Sequence, residues 1–145
     1  MRELSRSALT PYSPAQMFAL VEDIERYPEF LPWVDKAELI ERNGNEVVGR
    51  LSMHRAGVHE KFTTRNVLTP PREIVLNLVS GPFRTLEGRW TFDNIADRGT
   101  RVTLSVRFEF ANSVLALLLT RSFEKNCTDL INAFVTRARK IYGAA

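Results

Sequence analysis

A chain of 145 residues that is 44% hydrophobic and 26% charged is about one domain long and can bury a real core, which excludes a disordered or fibrous chain. Its formal charge of +3 permits contact with nucleic acid or anionic lipid without demanding it, and no run of five or six like charges forms a basic tail. The one cysteine, Cys127, excludes an internal disulfide, and the longest apolar run, 114–119, is far short of the roughly twenty residues that span a bilayer.

The first residues, Met1-Arg2-Glu3-Leu4-Ser5-Arg6, lack the apolar core of a signal peptide. A cytoplasmic protein is the expectation, and the lone cysteine fits a reducing compartment. Residues 3–10 read as a first strand closed by Pro11. Ser13-Pro14-Ala15-Gln16 is a helix start, with Ser13 as cap, Pro14 at the first helical position and Gln16 at the third. The helix is predicted to run to about Arg26, burying Met17, Phe18, Leu20, Val21 and Ile24. Residues 27–33, with two prolines and three aromatics, form a stiff apolar connector with room for one short helical turn.

From Val34 the period changes to two. Strands are predicted at 36–42, 46–54, 58–68, 73–80, 84–94 and 101–111. Asn43-Gly44-Asn45, Ala56-Gly57, Thr69-Pro70-Pro71-Arg72, Gly81-Pro82 and Ala96-Asp97-Arg98-Gly99 supply the turns between them. The last strands alternate cleanly: Val102, Leu104, Val106, Phe108 and Phe110 form one apolar face, against Arg101, Thr103, Ser105, Arg107 and Glu109 on the other. Such a sheet has one dry and one wet face.

A long helix is expected over 112–142, ending against Gly143, with Ser113 as a candidate cap. Phe123, Cys127, Leu130, Ile131, Phe134, Val135, Ala138 and Ile141 recur at three- and four-residue steps and form its apolar stripe. Lys125, Asn126, Asp129, Asn132, Thr136, Arg137, Arg139 and Lys140 fall on the opposite, exposed side. The run 114–119 is apolar all round. It is either a deeply buried helix start or a wall that meets a cavity, a ligand, a lipid or a partner.

Short turns imply antiparallel neighbours, and a sheet with one apolar face needs a cover. The terminal helix is the only long amphipathic candidate. The expected fold is therefore α+β, a single domain over 1–145 in which a curved antiparallel sheet wraps a long C-terminal helix in a helix grip. A cavity opens where a curved sheet stands away from a straight helix.

The chemistry-bearing residues are few. His54 and His59 flank a turn without a surrounding ligand cluster, so no metal site is expected. There is no nucleophile elbow and no glycine-rich phosphate loop, so catalytic residues are set at none. Glu60, Thr64 and Asn66 share the inward set of their strand with Phe62 and Leu68 and are the polar candidates for a cavity. The plainer reading puts Glu60 at the sheet margin in water. Arg84, Arg89, Arg101, Arg107, Arg121, Lys125, Arg137, Arg139 and Lys140 are expected to be exposed, either as solubilising charge or as phosphate contacts.

Several stretches together resemble the coenzyme Q-binding START-domain family, and within it the bacterial ribosome association toxins. They are Ser5-Arg6-Ser7-Ala8-Leu9, Pro11-Tyr12-Ser13, Tyr27-Pro28-Glu29-Phe30-Leu31-Pro32, Phe62-Thr63-Thr64-Arg65-Asn66, Gly81-Pro82-Phe83, Trp90-Thr91-Phe92, Phe108-Glu109-Phe110 and Ala133-Phe134-Val135. The resemblance spans essentially the whole chain. It implies a START/Bet v 1-like helix-grip fold with an apolar cavity. Its ligand would be ubiquinone or another isoprenoid lipid, linked to respiration, with no cofactor in the catalytic sense. For the toxin branch it implies binding to the large ribosomal subunit that blocks subunit association and so inhibits translation. Polyketide cyclases of the wider superfamily are the enzymatic alternative.

On that reading Phe30, Leu31 and Trp33 form a gate. Phe62, Leu78, Phe83, Trp90, Phe92, Phe108 and Phe110 form the sheet wall, and Leu115, Leu118 and Leu119 the helix wall. Arg137, Arg139 and Lys140 are the candidate ribosome contacts, and peripheral membrane contact is a further expectation.

Overall fold

In the computed structural model the described residues are 1–55 and 57–143, without the side chains of Arg55, Val58 and Asp97. The strands are β1 (Arg2–Thr10), β2 (Val34–Asn43), β3 (Glu46–Arg55), β4 (Val58–Thr69), β5 (Glu73–Ser80), β6 (Phe83–Asn94) and β7 (Thr100–Phe110). The helices are α1 (Pro14–Glu22) and α2 (Ser113–Tyr142). The strands form one sheet in the order β1-β7-β6-β5-β4-β3-β2, with every neighbouring pair antiparallel. Register shifts in the β2–β3, β4–β5 and β6–β7 pairs add local twist to the curl. Ala56 of the predicted Ala56-Gly57 turn lies outside the described residues.

The α1 start is a full capping box. Ser13 Oγ accepts from Gln16 N at 3.1 Å and Gln16 Oε1 accepts from Ser13 N at 2.9 Å. The helix stops at Glu22 rather than near Arg26, and the chain restarts as a 3₁₀ segment over Ile24–Glu29. An α-helix continued past Pro28 would lose a backbone bond and meet the proline ring. The short 3₁₀ segment carries Pro28 near its end and packs against β2.

The cap of α2 is Asn112 rather than Ser113. Asn112 is the residue with extended backbone, and its Oδ1 accepts from Leu115 N at 2.9 Å. α2 crosses the concave face of the sheet and lies close against β1 and β7. The most deeply buried side chains, among them Phe92, Phe108, Phe134, Met17 and Leu31, come from β6, β7, α2, α1 and the segment after it. This is the helix-grip arrangement.

Two polar residues expected on the outer side of α2 are buried: Asn126 at 4% exposure and Arg137 at 8%. Ile141, expected on the apolar stripe, is half exposed. The run 114–119 divides. Leu119 is buried, but Val114, Leu117 and Leu118 are exposed, so this part of the helix start neither sinks into the core nor lines a cavity.

Candidate ligand cavity

Between α2 and the middle of the sheet lies a cavity of about 120 Å³. The even positions of β4 put Phe62, Thr64, Asn66 and Leu68 on its floor. Val47, Gly49, Leu51 and Met53 of β3 extend one side, and Leu86, Gly88, Trp90, Leu104 and Val106 of β6 and β7 the other. Phe123, Asn126, Cys127 and Leu130 of α2 form the roof. Ile24, Tyr27, Leu31, Trp33 and Val34 close the end beside the 3₁₀ segment.

Two glycines make this shape. A Cβ on Gly49 would come within 2.4 Å of Ile24 Cδ1, so the bare glycine lets the 3₁₀ segment seat on β3. A Cβ on Gly88 would come within 2.9 Å of Leu76 Cδ1, its register partner on the neighbouring strand β5, so the bare glycine leaves room for that leucine. A dry apolar void of about 150 Å³ takes a benzene-sized guest, so the cavity is the size of one small ring.

The predicted site residues separate accordingly. Leu31 and Trp33 of the gate line the cavity, as do Phe62 and Trp90 of the sheet wall. Leu78, Phe83, Phe92, Phe108 and Phe110 do not. Phe83 stacks on Phe110 at 4.7 Å between centroids, and Phe108 meets Phe123 edge-on at 4.7 Å, so these rings fill the far end of the grip. Phe92 packs on Phe18 of α1. Leu115, Leu118 and Leu119 are also outside the lining, because the helix wall begins at Phe123.

Phe30 acts beside the cavity instead of in it. Its ring meets Phe134 at 5.1 Å, and Tyr27 meets the same ring at 5.4 Å. Phe134 in turn meets Trp90 at 5.3 Å, so one buried ring joins the 3₁₀ segment to the cavity wall. The Tyr27 hydroxyl donates to the Val21 carbonyl, and burial holds that phenol well above its usual range. Arg137 completes the closure. Its Nη2 donates to Glu29 Oε1 at 2.7 Å, and its guanidinium lies 5.0 Å from the centre of the Phe30 ring. The hydrogen bond from Arg137 holds the Glu29 carboxyl below its usual range. Arg137 is therefore a latch between α2 and the closing segment, and it is not the exposed contact expected from its spacing. Arg139 and Lys140 are exposed.

The polar lining is small. The Thr64 hydroxyl donates to Asn66 Oδ1 at 2.7 Å, and both residues are buried. Glu60 is buried at 8% exposure, not in water at the sheet margin, although it is not itself a lining residue. Burial raises its carboxyl from the ordinary 4.5 to about 7. The Cys127 thiol is pushed up to about 12, first by burial and then by the charges of Glu60 and Glu124, so it is a poor nucleophile. His54 and His59 sit opposite each other in the β3–β4 register with ring centroids 5.9 Å apart. No group of three metal-binding side chains occurs among the described residues.

Sequence reasoning missed the lining from β3, from β5 and from the mid-helix positions Phe123, Asn126, Cys127 and Leu130. The alternation of β3 carried part of the signal: Val47, Gly49, Leu51 and Met53 are successive odd positions.

Residues 10–135 match the family described as polyketide cyclase / dehydrase and lipid transport. The chain is 39% identical over 143 residues to the ribosome association toxin RatA of Vibrio cholerae, covering 99% of each chain. It is 28% identical over 138 residues to the mitochondrial coenzyme Q-binding protein coq10 of Schizosaccharomyces pombe, covering 92% of this chain and 84% of that one. In fold it superposes on the Zhui aromatase/cyclase of a Streptomyces species with a TM-score of 0.85 at 20% identity, over 97% and 95% of the two chains. The chain belongs to the polyketide cyclase / dehydrase and lipid transport family, in the group that includes the proteins named RatA.

Proposed function

We propose that this chain is a non-enzymatic binding protein of the RatA type, with two separable sites. The cavity holds the ring of an isoprenoid quinone or a similar apolar molecule, and an outer face associates with the large ribosomal subunit. The observation that carries the first site is the ring-sized void lined almost wholly by apolar side chains. Burial there at roughly 25 cal/mol per Å² holds an apolar guest without a charged contact. A tail longer than one ring leaves past the 3₁₀ segment, where the Arg137–Glu29 latch has to open. Exposed Val114, Leu117 and Leu118 are apolar surface for the membrane from which such a ligand comes. No helix among the described residues is long and apolar enough to cross a membrane. The protein works in the cytoplasm on this reading.

Trp33 and Trp90 line the cavity, so a short-chain ubiquinone analogue is expected to quench their fluorescence saturably. Val106→Phe, which places a ring in the void, is expected to weaken that binding at least tenfold while the protein stays folded. Equal quenching of both proteins would remove the cavity from this function.

The full-length likeness to proteins named for ribosome association favours the second site. The exposed cations Arg139 and Lys140 at the end of α2 are its candidate phosphate contacts. Co-sedimentation with large subunits is expected to weaken steeply as salt rises. The double variant Arg139→Glu, Lys140→Glu is expected to lose it. Arg137 is left out, since reversing it would break the latch. Undiminished co-sedimentation of the double variant would exclude this face.

A further inference from the structure

Among the described residues, Glu60 is the buried carboxyl for which the fold supplies no partner. Both of its oxygens are buried and neither has a hydrogen bond among the described residues. Native proteins rarely leave such a group unsatisfied, and each exception calls for a physical reason. Its surroundings give one. Met53 stands directly opposite Glu60 in the β3–β4 register, Phe62 is the next inward residue of the same strand, and the charge of Glu60 acts on Cys127 of α2. All three of these neighbours line the cavity. Glu60 thus sits just past the end of the apolar void, hemmed in by residues that form its wall.

Among the described residues, the other ionisable groups nearby do not neutralise it. Glu124 of α2 is paired with Arg2 at 2.9 Å, and Arg6 of β1 acts on Cys127. His54 and His59 occupy the next register position of the hairpin, and His54 Nδ1 lies 2.7 Å from Asp35. Burial causes the upward displacement of the Glu60 carboxyl. Below neutrality the group is therefore a neutral acid with one hydrogen to donate.

We propose that Glu60, as the neutral acid, is the polar end of the cavity and donates a hydrogen bond to a carbonyl oxygen of the bound molecule. This rests on the cavity reading above and narrows it. The ligand class is a ring-sized apolar molecule carrying a carbonyl, a quinone or an aryl ketone, in preference to a pure hydrocarbon. Ionisation removes the donor and sets a carboxylate against the carbonyl oxygen, so binding weakens as pH rises through neutrality.

The test uses two probes of nearly equal shape, acetophenone and cumene, which differ in the carbonyl. Binding to the full chain is followed by the ¹³C-methyl signal of Met53 at pH 5.5 and 8.5. Acetophenone is expected to bind about tenfold more tightly at the lower pH, the effect of one hydrogen bond made or lost. Cumene is expected to change less than twofold. Glu60→Gln, which keeps a donor, is expected to bind acetophenone with no pH dependence. Glu60→Leu is expected to lose the low-pH gain and keep cumene. Cumene binding together with an acetophenone response that ignores Glu60 would overturn this proposal alone. Failure of both probes to bind the natural chain would overturn the cavity reading and this proposal with it.

Discussion

Glu60→Gln is expected to be about 3 kcal/mol more stable than the natural chain at pH 8, and within about 1 kcal/mol of it at pH 5. The Glu60 carboxyl lies at about 7 in the folded protein, against an ordinary 4.5. Between those values the folded chain binds more protons than the unfolded one, so stability falls as pH rises. The loss begins near the unfolded value and is complete above the folded one. Each unit of displacement corresponds to about 1.4 kcal/mol. Glutamine keeps the shape and cannot ionise, so the difference between the two proteins isolates this group from every other titration. Urea unfolding at both pH values measures it. Equal stabilities at pH 8 would mean that Glu60 finds a partner or solvent in solution.

Phe134→Ala is expected to cost about 3–5 kcal/mol, the usual range for a buried aromatic truncated to alanine. The ring is fully buried and meets Tyr27, Phe30 and Trp90 edge-on. Alanine would leave a hole where the closing segment, α2 and the sheet converge. Hydrogen exchange is therefore expected to rise first at residues 24–31 and only later in the sheet. A loss below about 1.5 kcal/mol would mean that the site collapses around the gap. Slow exchange at the 3₁₀ segment would show that the latch alone holds it shut.

The order of elements was readable because each has a local cause. The Ser13-Pro14-x-Gln16 box starts α1, and the period-two pattern of 101–110 marks β7. The end of α1 was not readable, because apolar spacing continues through Ile24 while Pro28 sets the limit from outside the helix. Arg137 was placed on the wrong side for a related reason. Its spacing on α2 reads as polar, but its partners are Glu29 and Phe30, 108 residues earlier in the case of Glu29. Only the fold brings a cation and a carboxylate together over that separation.

The cavity was legible as a consequence of topology, but its lining was not. Aromatic residues are the natural guess for a wall, and here most of them fill the grip instead. The void persists where aliphatic side chains line the sheet, at Leu51, Leu104 and Val106. Glu60 was legible as an inward position of β4. Its burial depended on how far α2 covers the hairpin, which the alternation of one strand does not set.

The most direct measurement is a crystal structure of the protein soaked with 1,4-benzoquinone, a single unsubstituted quinone ring that suits the size of the void. The ring is expected between Phe62, Trp90 and Leu104 of the sheet and Phe123 of α2, with the fold otherwise unchanged. Saturating ligand with that space still empty, or density only on the outer surface, would contradict the account.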